Sequence, residues 1–191
     1  MKKIVKIMPH YEPRMWGGGI RLKEEFHYDT DVSPLGEVYN VVALPGHADC
    51  EVPEMNCTLS ELYNQKPEWF ECETKQLPVR VNILDPMEDL SIQIHPDDAF
   101  AKSYNGGRGK PEAWVILDAP KDGYIEFGHW ANSKEEFIEW TRQKEWKKTV
   151  TLSFYTNRWI YRYSYRYATC DRKRSAYIQY IPKCGFDTSL V

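Results

Sequence analysis

The run Leu90-Ser91-Ile92-Gln93-Ile94-His95-Pro96-Asp97-Asp98 alternates apolar and polar side chains and stops at a proline, a pattern that fits an extended strand and little else. Residues i and i+2 of a strand share a face. Gln93 and His95 therefore point one way, into a concave interior, while Ile92 and Ile94 pack behind them. Two side chains able to bind a metal from one strand make half of a metal site.

Seventeen residues after His95, Gly109-Lys110-Pro111-Glu112-Ala113-Trp114-Val115-Ile116-Leu117 sets a carboxylate at the mouth of a second apolar run. Glu112 can close on the same ion. One imidazole nitrogen, one carboxylate and one amide oxygen suit zinc or another borderline divalent cation, with a fourth ligand or water to complete the shell. Spacing alone leaves another reading open, because a single strand histidine is commonly a packed or surface residue.

The other short elements are β-prone. Residues 1–8 alternate as a strand, Pro9 and Pro13 force an extended segment, and Trp16-Gly17-Gly18-Gly19 follows without phosphate-loop spacing or an ensuing helix. Residues 38–44 and 77–84 read as strands, as do 115–117 and 124–127, which a turn at Asp122-Gly123 joins. Thr58 with Glu61, and Ser133 with Glu136, carry capping-box chemistry for helices over 58–65 and from 133 to about 144. Asp97 caps a helical turn, and Gly106, Gly107 and Gly109 form a loop delivering Lys110 and Glu112. His47 and His129 lie in turns; His47 reads as a surface residue, and His129 is at most a substitute ligand.

These motifs together resemble the type I mannose-6-phosphate isomerases, zinc enzymes of cupin-type fold. The resemblance rests on the Leu90–Asp98 run and on Gly109-Lys110-x-Glu112-x-Trp114. It extends to Trp16-Gly17-Gly18, Gly36-Glu37, Thr58-Leu59-Ser60-Glu61-Leu62 and Leu77-Pro78-Val79 before Ile83-Leu84-Asp85, and covers about residues 5–146. It implies a mainly β, cupin-type (jelly-roll-like) fold with a few short helices, incomplete at the C-terminus. It also implies interconversion of mannose 6-phosphate and fructose 6-phosphate, with one Zn²⁺ per chain held by Gln93, His95 and Glu112. Lys110 is the implied catalytic and substrate-binding residue, Ser91 binds the phosphate, and Trp16 walls the sugar pocket. A member of the family normally carries lysine where this chain has Asn82.

After residue 146 the chain changes character. Residues 147–191 hold nine Lys/Arg against two Asp, no Glu, one Gly and seven of the thirteen Tyr, a net charge of +7, whereas residues 1–146 stand at −10. Read literally, Tyr161, Tyr163, Tyr165 and Tyr167 share one strand face opposite Arg162 and Arg166, a platform for single-stranded nucleic acid. Read one nucleotide forward, codons for 164–177 can spell Pro-Ile-Gly-Thr-Leu-His-Ala-Ile-Gly-Lys-Gly-Val-Leu-Ile, which resembles the family segment bearing the last zinc histidine. We therefore expect a catalytic cupin-like domain over 1–146 and an aberrant, out-of-frame tail over 147–191. Loss of the closing strands should then leave apolar inner faces and sheet edges exposed.

Bulk properties narrow the setting. A hydrophobic fraction of 42% and an aromatic fraction of 14% describe a folded domain. Pro9, His10, Glu12 and Arg14 interrupt any apolar leader after Lys2 and Lys3, and no run is long enough to span a bilayer. Five cysteines without a Cys-x-x-Cys pair fit a reduced, cytoplasmic protein. The expected partner is a sugar phosphate, with no membrane and no nucleic acid, and the competing reading is a non-catalytic cupin-like sugar-phosphate binder.

Overall fold

A computed structural model describes residues 4–91, 93–118, 124–149, 152–154, 160–162, 168–172 and 176–181. In chain order its elements are β1 (His10–Pro13), α1 (Arg21–Glu24), β2 (Leu35–Val41), β3 (Ala43–Leu44), β4 (Ala48–Asp49), β5 (Glu51–Val52), β6 (Cys57–Thr58) and α2 (Leu59–Gln65). They continue with β7 (Arg80–Leu84), β8 (Gln93–Ile94), α3 (Asp98–Asn105), β9 (Ala113–Asp118), β10 (Tyr124–Phe127), α4 (Lys134–Arg142) and α5 (Trp146–Thr149). Among the described residues four further strands follow: β11 (Leu152–Phe154), β12 (Ile160–Arg162), β13 (Ala168–Arg172) and β14 (Ala176–Ile181).

The strands form a six-stranded sheet in the order β1-β2-β7-β14-β9-β12 and a four-stranded sheet in the order β11-β10-β13-β8, with β3-β4 and β5-β6 as small hairpins. Leu84, Trp114 and Ile116 of the larger sheet pack against Ile125 of the smaller one, so apolar residues from both inner faces join into one core. A second cluster gathers Val42, Leu44, Cys50, Val52, Leu59, Leu62 and Tyr63 around α2. The protein is mainly β with few short helices, as the sequence leads one to expect.

Local signals explain the helix boundaries. Thr58 caps α2 reciprocally with Glu61, and the helix stops at Lys66 before Pro67. Ser133 caps α4, but the Glu136 carboxylate accepts from Asn132 N instead of completing a box with Ser133. A left-handed Lys144 (φ 57°) closes the turn after α4. α3 is a full eight-residue helix rather than one turn, capped by Asp97 and ended at Gly106 (φ 73°).

Some readings change. The first strand is His10–Pro13, and Met8 makes only an isolated bridge to Glu51. The proline is tolerated because β1 is an edge strand with its register shift at Glu12/Pro13. A one-turn helix, α1, does follow the glycine loop. The expectation that the tail leaves both sheets open is not met. β14 lies between β7 and β9, and β13 lies between β10 and β8, because backbone ladders can form without the side chains the closing strands were expected to carry. In the Tyr-rich stretch the described strand is only Ile160–Arg162, paired at the sheet edge with β9. The remainder of that alternation and the Asp122-Gly123 turn lie outside the described residues. Among the described residues no helix is long and apolar enough to cross a membrane.

Candidate functional site

His95 leaves β8 and meets Pro96, while Glu112 enters β9, so the two lie at strand ends far apart in the chain. A backbone contact brings them together. Gly109 lies against Pro96, Asp97 and Asp98 so closely that a Cβ there would stand 2.7 Å from Asp98 N, 2.8 Å from Asp97 C and 2.9 Å from Pro96 O. Gly109 N donates to Asp98 Oδ1 (2.9 Å) and Lys110 N to Pro96 O (3.2 Å), pinning the loop to the start of α3. Asp97 and Asp98 thus hold the site's framework rather than forming an acid–base pair.

The candidate site centres on one carboxylate set between two nitrogen groups. Glu112, 2% exposed, receives His95 Nε2 on one carboxylate oxygen at 2.9 Å and Lys110 Nζ on the other at 3.0 Å. Burial pushes the Glu112 carboxyl upward, but the Lys110 ammonium and the His95 ring outweigh it and hold its pKa at about 2. The carboxylate is therefore ionised throughout the neutral range. Gln93 is exposed, and its Nε2 donates to Ser91 Oγ (2.8 Å) rather than to that carboxylate, leaving its amide oxygen as the end suited to a cation.

An imidazole, a carboxylate and an amide are donor types that zinc accepts. Bonds of about 2.0–2.2 Å in tetrahedral geometry separate neighbouring ligand atoms by roughly 3.4 Å, so His95 Nε2 and Glu112 Oε2, in direct contact at 2.9 Å, would part by about 0.5 Å to share an ion. Among the described residues no group of three or more His, Cys, Asp or Glu gathers as if round a metal. The amide of Gln93 is not among those residue types. Register adds a further neighbour: Thr169 of β13 is paired across from Gln93.

Trp16 is half-buried on the Leu84–Trp114–Ile116–Ile125 cluster, and its carbonyl accepts from Met87 N (2.7 Å) and Glu88 N (3.2 Å). The glycine loop behind it fits because Gly17 meets Gly36 backbone where a Cβ would come within 2.4 Å. His47 is exposed. His129 is also exposed and rests on Phe137, with ring centroids 5.1 Å apart.

Sequence reasoning missed a second polar group on the inner face of the large sheet. Arg14 pairs with Glu37 at 2.8 Å and reaches Tyr39 OH, Asn82 donates to the other Glu37 oxygen, and Arg80 lies over the Tyr39 ring at 5.6 Å. Glu37, Arg80 and Asn82 are all buried. A signal was present: Arg80 and Asn82 stand at i and i+2 within an apolar run, the same pattern that marks Gln93 and His95.

A family model for the phosphomannose isomerase type I catalytic domain matches residues 4–122. Mannose-6-phosphate isomerase of Streptococcus mutans is 33% identical over 141 residues, covering 72% of this chain and 44% of that protein. Mannose-6-phosphate isomerase ManA of Bacillus subtilis is 34% identical over 149 residues, covering 74% and 46%. The chain therefore spans about half the length of these relatives. The crystal structure of the mannose 6-phosphate isomerase from Bacillus subtilis superposes with a TM-score of 0.85 at 25% identity, over 95% of this chain and 59% of that one. A mannose 6-phosphate isomerase structure bound with zinc and yttrium shares the fold, with a TM-score of 0.69 at 10% identity, over 95% and 68%.

Proposed function

The chain belongs to the type I phosphomannose isomerase family, and on that premise we propose that it carries a zinc site for interconverting mannose 6-phosphate and fructose 6-phosphate. The observation that carries the reading is the buried Glu112 carboxylate bridging His95 and Lys110. Gln93, His95 and Glu112 would hold one Zn²⁺. When bound, zinc supplies Lewis-acid stabilisation of negative charge on the sugar oxygens.

The chain's own residues do the rest. The reaction moves a proton between C1 and C2 through an enediol, so charge develops on the two adjacent oxygens. Lys110, held against Glu112 and 9% exposed, is a charged donor that can stabilise that alkoxide or pass it a proton. Ser91 Oγ accepts from Gln93, which leaves its own hydroxyl proton to donate to a phosphate oxygen. Trp16 supplies an apolar wall that limits water.

The domain organisation follows the same reading: a catalytic cupin-like unit over 1–146 and an out-of-frame tail over 147–191. Support comes from a mismatch of coverage, since relatives align in sequence over 72–74% of the chain while the Bacillus subtilis structure superposes over 95%. Counting the shifted peptide from Ser164 sets its histidine at position 169, the position paired with Gln93. With threonine there, the site lacks a second imidazole beside His95, and turnover should be slow. A second reading, sugar-phosphate binding without turnover, is favoured by the uncharged Asn82. The free thiols Cys50, Cys57 and Cys72 fit a reduced, cytoplasmic setting.

The test is zinc content, mannose 6-phosphate binding and fructose 6-phosphate formation by the full chain and by Glu112→Gln. One zinc per chain with slow turnover that Glu112→Gln abolishes is expected. Binding without turnover selects the second reading, and absence of both zinc and sugar-phosphate binding refutes the site.

A further inference from the structure

We propose that Arg80 is an anion-binding residue on the inner face of the larger sheet, placed to take the phosphate of the sugar-phosphate substrate; this rests on the reading above and adds a residue to it. Arg80 is 3% exposed, and its Nε and Nη2 are buried without a hydrogen-bond partner among the described residues. Its guanidinium lies over the Tyr39 ring, 5.6 Å from Cζ to the centroid. Lys110 is matched by Glu112 and Arg14 by Glu37, but among the described residues no carboxylate pairs with Arg80. Buried guanidinium N–H groups are costly when nothing accepts from them, so a site that keeps such a group is built for an acceptor that arrives from outside.

Register aims it at the site. Ile181 of β14 faces Arg80 on one side, and Tyr180 faces Ala113 on the other, so continuing the ladder by one residue sets Ile181 beside Glu112. Arg80 and Glu112 thus occupy one row on one face of the sheet with a single strand between them, about 10 Å apart. Asn82 is two residues away on the same face, and its amide is committed to Glu37, so it offers no charge to an anion. A fork of N–H donors one strand from the carboxylate that would hold the metal suits a ligand with reactive oxygens at one end and a phosphate at the other.

The experiment titrates inorganic phosphate, mannose 6-phosphate and mannose into the zinc-loaded full chain, Arg80→Gln and Arg80→Lys, by calorimetry. It also follows the Arg80 Nε–H signal of the parent chain by NMR, identified by its loss in Arg80→Lys. Expected are a shifted Nε–H signal on adding phosphate, phosphate and mannose 6-phosphate binding weakened at least tenfold in Arg80→Gln, partial recovery in Arg80→Lys, and mannose binding unchanged. If phosphate binds through Arg80 but mannose 6-phosphate binds no better than phosphate, the anion site stands and the isomerase reading fails. If the Nε–H signal does not move, or Arg80→Gln binds both ligands as the parent does, Arg80 only supports Tyr39 and the proposal is overturned. It is overturned too if the parent binds neither.

Discussion

Gly109→Ala tests how the site is assembled. Its new Cβ would stand 2.7–2.9 Å from three backbone atoms of Pro96, Asp97 and Asp98, against about 3.4 Å for ordinary contact. The shortfall of roughly 0.5–0.7 Å falls on backbone that is fixed by the α3 cap and by the Gly109 N to Asp98 bond, so the loop must lift. Overpacking of this kind costs about 1–3 kcal/mol. Because Lys110 and Glu112 are the next residues along, the carboxylate moves away from His95, and metal affinity should fall by about tenfold or more, as it does when a supporting shell is disturbed. Urea unfolding of the metal-free chain reads the first effect, and zinc competition against a chelating dye reads the second. A variant as stable as the parent and binding zinc equally well would refute the claim that this glycine contact builds the site.

Other outcomes follow from named contacts. Glu112→Gln should destabilise the metal-free chain by about 3–5 kcal/mol at pH 7, because it strands the buried Lys110. The Glu112 pKa is depressed from 4.5 to about 2, so its contribution is present above about pH 4.5 and is lost as pH falls toward 2. The gap between parent and variant in chelator-treated urea melts should shrink to about half or less at pH 3, and a constant gap would count against the pairing. Thr58→Ala removes the reciprocal cap of α2 and should cost about 1 kcal/mol in the same assay, with Thr58→Ser near neutral. Thr169→His should tighten zinc binding by roughly tenfold or more, read by dye competition and by the zinc-dependent rise in melting temperature; unchanged affinity would argue against position 169 as the missing imidazole.

Much of the site was legible because its residues sit in short local patterns. Gln93 and His95 share a face through strand periodicity and Glu112 follows a glycine loop, so spacing marked these three as metal-capable, whereas Lys110 was nominated by the family resemblance. The same periodicity at Arg80 and Asn82 went unread, since a polar pair within an apolar strand is equally compatible with a face turned to water. Only the pairing of β7 between β2 and β14 turns that face inward. The tail shows the reverse failure. An out-of-frame tail was expected to remove the closing strands, yet β13 and β14 fill both sheets, because ladder hydrogen bonds depend on backbone geometry more than on side-chain identity.

The sequence by itself determined the local elements: the Thr58 and Ser133 caps, the stop before Pro67, the short strands and the metal-capable residue types at 93, 95 and 112. These depend on interactions within a few residues, which one stretch of chain encodes. Long-range packing set the burial of Glu112 between His95 and Lys110, the enclosure of Arg80 with no carboxylate partner among the described residues, and the place of residue 169 across from Gln93. Each of those depends on strand order and register between segments far apart in the chain, where a shift of one residue would turn the same side chains to the opposite face.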